Sequence, residues 1–242
     1  MNSPRLDEDK SQAPLILASA SPRRRQLLAL MGVEFEVRPA EIDEDPLPKE
    51  LAVDLVRRLS LAKATAVSAR LDRGFVVGAD SLVVLDGEIF GKPSGPEQAR
   101  QMLEKLRGTQ HQVVTGVTVL DASKSRHITC SMASGITLRE ITDAEIQKSI
   151  DSGVPFDKAG AYAVQDIELS PAKSWEGCYP NIVGLPLCRL VRMLGDLGLS
   201  LQFVHSKGKQ TKDVTSRCTG ECPFNPESIP DVGRGDIRRD GP

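Results

Sequence analysis

The chain has 242 residues, 40% hydrophobic and 26% charged, which is enough to bury a substantial core and ordinary for a globular protein. Its 31 basic and 33 acidic residues leave a net charge of −2, which argues against broad binding to nucleic acid or to a membrane surface, so any anion site is local. No apolar run is long enough to span a bilayer, the N-terminus is polar, and Cys130, Cys178 and Cys188 are scattered singly like reduced thiols, so a cytoplasmic location is expected.

Residues 1–13 are polar and read as a flexible N-terminus. Leu15–Ala18 reads as a buried strand, followed by Ser19, Ser21, Pro22 and then Arg23, Arg24 and Arg25 at the head of an apolar-periodic helix. Ser21 suits an N-cap and Pro22 the first helical position. Three cations at the positive end of a helix dipole make sense if an anion sits among them; read alone, they are equally a solvated basic turn. Glu34–Pro39 alternates like a strand, and the acidic segment 41–45 leads into a helix from about Lys49 to Arg70. FVVGADSLVVLDGEIF reads as two strand-like runs around Gly78-Ala79-Asp80, with a turn at Asp86-Gly87. A loop at Gly91-Lys92-Pro93 precedes a helix from Pro96 to Leu106. Gln112–Leu120 and Ile128–Leu138 form a hairpin around the polar turn 121–126, and Thr142 with Glu145 makes a capping box for a helix to Ile150. A glycine-bearing segment, 157–165, then a polar loop to Pro180 and an apolar helix at about 187–197 complete an α/β chain with a mixed sheet. The folded domain is expected over 14–205, with 206–242 as a disordered tail, because apolar residues thin out and no period persists there.

The candidate chemistry is one-sided. Asp80 ends an apolar run, where a carboxylate is costly unless it is paired or binds metal. Lys92 is fixed between a small residue and a rigid one. Lys63 lies one position from an apolar helical stripe, and alone it reads as a snorkelling surface lysine. Glu44 belongs to an acidic run that alone reads as solvated. Gln165 follows small residues and offers both donor and acceptor to a nucleobase edge, or is simply a surface glutamine. Cations at 23, 24, 63 and 92 with a carboxylate at 80 are the equipment for a polyphosphate carrying Mg²⁺. There is no GxxxxGK[ST] loop, no HExxH and no GxSxG, and histidine occurs only at 111, 127 and 205, so serine–histidine covalent catalysis is not expected.

SASPRR (19–24), DE (43–44), LAKA (61–64), GADS (78–81), GKP (91–93), DKAGAYAVQ (157–165) and NIVGLP (181–186) occur in the order seen in Maf-like nucleotide pyrophosphatases, and the chain resembles that family over about 14–200. The resemblance implies an α/β fold with flanking helices and a central cleft, similar to the inosine triphosphate pyrophosphatases. It also implies hydrolysis of a nucleoside triphosphate to monophosphate and pyrophosphate with a divalent cation, Mg²⁺ or Mn²⁺. By resemblance, Ser19, Arg23 and Arg24 bind phosphate, with Ser81 a further substrate contact. Lys63 and Lys92 are further phosphate ligands, and Glu44 and Asp80 hold the metal. Asp80 also orients or deprotonates the attacking water, Gln165 reads the base, and Asp157 and Lys158 support the site wall. GADS stands where the family commonly has GADT, and YAVQD where it has YGIQG. Gln165 makes the chain more similar to the dTTP/UTP branch than to the 7-methyl-GTP branch. The family also suggests a homodimer. The competing expectations are a different base, 7-methyl-GTP or a modified purine, and a non-catalytic nucleotide-binding regulator of septum formation.

Overall fold

A computed structural model of the protein describes residues 13–199. All but the last residue of the expected flexible N-terminus, and the whole of the expected 206–242 tail, lie outside the described residues.

Seven strands form one mixed sheet. β1 (Leu15–Leu17) is entirely buried, and β2 (Glu36–Val37) pairs parallel to it at the edge. β3 (Phe75–Leu85) lies on the other side of β1, also parallel, and turns at Asp86-Gly87 into β4 (Glu88–Phe90). β5 (Gln110–Asp121), β6 (Arg126–Leu138) and β7 (Ala172–Glu176) continue the sheet antiparallel, in the order β2-β1-β3-β5-β6-β7. Both parallel pairs are joined by connections that contain a helix, whereas the antiparallel pairs include two hairpins, β3–β4 and β5–β6.

The helices are α1 (Pro22–Ala29), α2 (Ala52–Ser68), α3 (Pro96–Leu106), α4 (Asp143–Asp151), α5 (Tyr179–Val183) and α6 (Leu187–Asp196). Local chemistry explains several of their ends. Ser21 Oγ accepts from Arg24 N, with Pro22 opening α1. Thr142 and Glu145 form the expected capping box on α4.

Strand alternation divides the core. Phe75, Val77, Ala79 and Val83 of β3 join the main cluster with Leu27, Leu103, Ile146 and Leu190 from the helices on that face. Val76 and Leu82 point to the opposite face, onto α2, where Leu55, Leu59, Ala64 and Val67 meet them.

Three sequence expectations are corrected. Residues 75–85 are one unbroken strand, so Asp80 lies within it and not at its end. The glycine that looked like a break, Gly78, is a point of helix approach: a β-carbon there would lie 2.1 Å from the Ser60 carbonyl oxygen of α2. The polar loop expected before Pro180 contains β7 and runs into the start of α5, and the short lengths and lack of apolar alternation of both hid them. The long helix also starts at Ala52 and not at Lys49, since Lys49 takes a left-handed backbone (φ 62°) that ends any earlier helical turn.

Candidate active site

The site lies where β1 stops short. β1 pairs with β3 as far as Leu17–Val77, and β4 joins β3 only from Val83. Residues 78–82 of β3 are thus paired on the β5 side, and no strand among the described residues covers their other side. The opening is walled by the loop at 18–21, the head of α1, α2 and the 157–165 segment. It is a cavity of about 460 Å³, and Ser19, Arg23, Arg24, Glu44, Lys63, Asp80, Ser81, Lys92 and Gln165 all line it. The structure therefore brings together every residue assigned above to substrate or metal.

Alternation along β3 gives Asp80 and Ser81 opposite neighbours. Asp80 faces α2 and is 7% exposed; its Oδ1 accepts from Lys63 Nζ at 2.6 Å. Lys63 is equally buried, so the snorkelling reading fails: its ammonium stays at the bottom of the cavity because two carboxylates meet it there. The second is Glu44, whose Oε1 lies 2.7 Å from Lys63 Nζ, while Lys92 Nζ lies 3.7 Å from Glu44 Oε2. Partial burial would raise the Glu44 carboxyl, but the hydrogen bond and charge of Lys63, then Lys92 and Arg24, outweigh it and hold it below its ordinary value.

Ser81 faces Arg24. The Arg24 guanidinium donates from Nε to the Gly184 carbonyl at 2.9 Å, from Nη2 to Ser81 Oγ at 2.9 Å and from Nη1 to Ser19 Oγ at 3.3 Å. Burial draws Arg24 below the usual arginine value against the opposing pull of Asp80, although a guanidinium keeps its charge. Arg24 is thus a post that fixes both serine hydroxyls. Arg23 turns the other way and lies 3.6 Å from Asp157, whose carboxylate also accepts from Lys158. Arg25 is exposed and lines a different groove, so two of the three arginines serve the cavity. Gln165 lies on the wall with Tyr162, Ala163 and Val164.

Sequence reasoning gave no role to the polar chain behind Ser81. Ser81 Oγ lies 2.9 Å from Thr115 Oγ1, which donates to the carbonyl of Asn181, and the fully buried Asn181 amide donates to Val113 O and Ser134 Oγ. In a Val- and Thr-rich strand Thr115 resembled ordinary β-propensity, and NIVGLP carried no visible role for Asn181. His111 was likewise without a role; its Nε2 lies 2.7 Å from the Tyr162 hydroxyl, and burial pushes its pKa down to about 4.

Among the described residues, no group of three or more Asp, Glu, His or Cys could enclose a metal ion. Glu44 and Asp80 both converge on the Lys63 ammonium, however, and Mg²⁺ or Mn²⁺ is ordinarily held beside such a cation through one or two carboxylates with water and substrate phosphate oxygens. The donor set fits a cation that arrives with a polyphosphate.

The family described as "Maf-like protein" matches residues 14–197. A dTTP/UTP pyrophosphatase of Geobacter sp. (strain M21) is 44% identical over 187 residues, covering 76% of this chain and 97% of the relative. One from Hahella chejuensis is 44% identical over 198 residues, 81% of this chain and 98% of the relative. One from Dehalococcoides mccartyi is 40% identical over 186 residues, 77% and 83% respectively.

Proposed function

The chain belongs to the Maf-like protein family, and from that premise we propose that it hydrolyses a nucleoside triphosphate, dTTP or UTP before others, to the monophosphate and pyrophosphate. The observation that carries the reading is the convergence of Arg23, Arg24, Lys63 and Lys92 with Glu44 and Asp80 around one cavity of nucleotide size. A protein that only bound nucleotide would have no need of two acids beside those cations.

Each residue then has a task. Ser19 and Ser81, held by Arg24, present hydroxyls to phosphate oxygens, and Arg23 adds a charge-assisted contact. Asp80 orients the attacking water and accepts its proton. The water oxygen bonds to the α-phosphorus in line as the bridging bond breaks, and the electron pair leaves with pyrophosphate. Lys92 and Lys63 balance the charge that builds on the leaving group. A divalent cation, held by Glu44 and Asp80, would add further neutralisation of the phosphate oxygens. Gln165, with an amide that can both donate and accept, reads the pyrimidine edge. No described helix is long and apolar enough to cross a membrane.

The test is pyrophosphate release from dTTP, UTP, 7-methyl-GTP, ITP and the standard triphosphates, with Mg²⁺, with Mn²⁺ and with chelator. Preference for dTTP and UTP, abolished by chelator, is expected. A purine or 7-methyl-GTP preference would overturn the role of Gln165, and nucleotide binding with no product under either metal would identify a regulator instead.

A further inference from the structure

Glu44 is carried by residues 38–51, which contain no helix or strand, yet its carboxylate must meet Lys63 within hydrogen-bond distance. Ala40 and Ile42 pack its first part against the core, and something outside the cavity has to hold the part from 43 to 50 in place. Arg58 does so from α2, five residues before Lys63. Its Nε donates to Glu50 Oε1 at 2.7 Å and its Nη2 to Glu50 Oε2 at 2.8 Å, a two-pronged pair. The same Nη2 donates to the carbonyl of Asp45, the residue next to Glu44, at 2.9 Å. Glu50 Oε2 also accepts from the Leu47 amide at 2.9 Å, which closes a short turn, and the Asp45 amide is held by Asp43 Oδ1. One guanidinium thus fixes the segment on both sides of its turn, and it stands on the helix that carries Lys63.

We propose that Arg58, acting through Glu50 and the Asp45 carbonyl, is a positioning residue that sets the Glu44 carboxylate against Lys63 and the metal-bearing phosphates. This inference rests on the function proposed above and adds to it residues that touch neither substrate nor metal. The planar fork matters: an ammonium at position 58 could reach one carboxylate oxygen or the carbonyl, but could not span all three acceptors in this geometry. The hydrogen bond from Arg58 keeps Glu50 ionised, with a pKa of about 2, so the clamp persists across neutral and mildly acidic pH.

The experiment uses the full chain with Arg58→Ala, Arg58→Lys, Glu50→Gln, Glu44→Gln and the double variant Arg58→Ala/Glu44→Gln. Arg58→Ala should raise the Mg²⁺ concentration needed for half-maximal pyrophosphate release about tenfold, the usual scale for losing a partner behind a metal ligand, with kcat largely recovered at saturating Mg²⁺. Arg58→Lys should recover only part of that loss. The double variant should be no worse than Glu44→Gln alone, since Arg58 works through Glu44. Binding of Mn²⁺ with the nucleotide product, followed by its paramagnetic resonance, should weaken in parallel. Without metal or nucleotide, hydrogen exchange of the Leu47 amide should accelerate. If Arg58→Ala lowers the melting temperature, Glu50→Gln, which keeps the shape and removes the charge, is read in its place. Additive losses in the double variant, or unchanged exchange over residues 43–50, would overturn the proposal. Failure of the wild-type chain to release pyrophosphate would instead overturn the proposed function, and the exchange and Mn²⁺ readouts would still judge the clamp.

Discussion

Lys63 and Asp80 stand on a 17-residue helix and an 11-residue strand that touch backbone to backbone, whereas Glu44 stands on residues 38–51, which have no regular structure, and meets the same ammonium from the other side. The first pair is placed by the packing of α2 on the sheet. The second depends on the packing of Ala40 and Ile42 against the core and, beyond them, on a few charge-assisted hydrogen bonds at the surface. The side built on regular elements can hold its charges ready before substrate arrives, at the cost of burying them. The loop side keeps its carboxylate nearer the surface and owes its place to side-chain hydrogen bonds.

Substitutions can break that contrast, and the largest effect is expected at Lys63. In Lys63→Ala, Asp80 stays buried without its counter-ion, which costs about 3–5 kcal/mol of stability besides turnover; thermal melting should show the loss, and Lys63→Arg should recover part of it. Asp80→Asn keeps the shape and the hydrogen bond to Lys63 but removes the proton acceptor. Pyrophosphate release should fall by about 10²–10³ while the melting temperature holds. Lys92 lies on the exposed side, so Lys92→Ala should cost about 10² in rate with no measurable loss of stability.

A fourth prediction concerns pH. His111 has a pKa of about 4 in the fold against an ordinary value of 6.5, so the unfolded chain binds its proton first as pH falls. The stability linked to neutral His111 is therefore complete above pH 6.5 and is lost progressively between 6.5 and about 4, amounting to about 3 kcal/mol. Denaturant melts of His111→Gln should lack this acid slope. An unchanged slope would show that His111 is not buried as the neutral imidazole.

Elements whose causes are local were readable in the sequence. The Pro96–Leu106 helix, the β5–β6 hairpin and the Thr142 capping box stand as expected, because caps, turns and periodicity lie within a few residues of one another. What depends on tertiary approach was not readable. Gly78 looked like punctuation because the carbonyl it accommodates lies on a helix distant in sequence, and Lys63 looked like a surface residue because its partners are at positions 44 and 80. The motif positions identified the members of the candidate site, whereas the hydroxyl chain through Thr115 to Asn181 left no periodic or compositional trace. Arg58 and Glu50 were hidden in the same way, as two ordinary charges either side of a helix start.

Gly78 and Gly116, the latter paired with Asp80 across the sheet, each come so close to α2 that a β-carbon would lie 2.1 Å from a helix carbonyl oxygen. A single methyl at either place would lever the helix outward and carry its lysine away from the aspartate. Variation at two residues that do not line the cavity would thus mimic loss of a catalytic group. A survey confined to the cavity's lining side chains would overlook them.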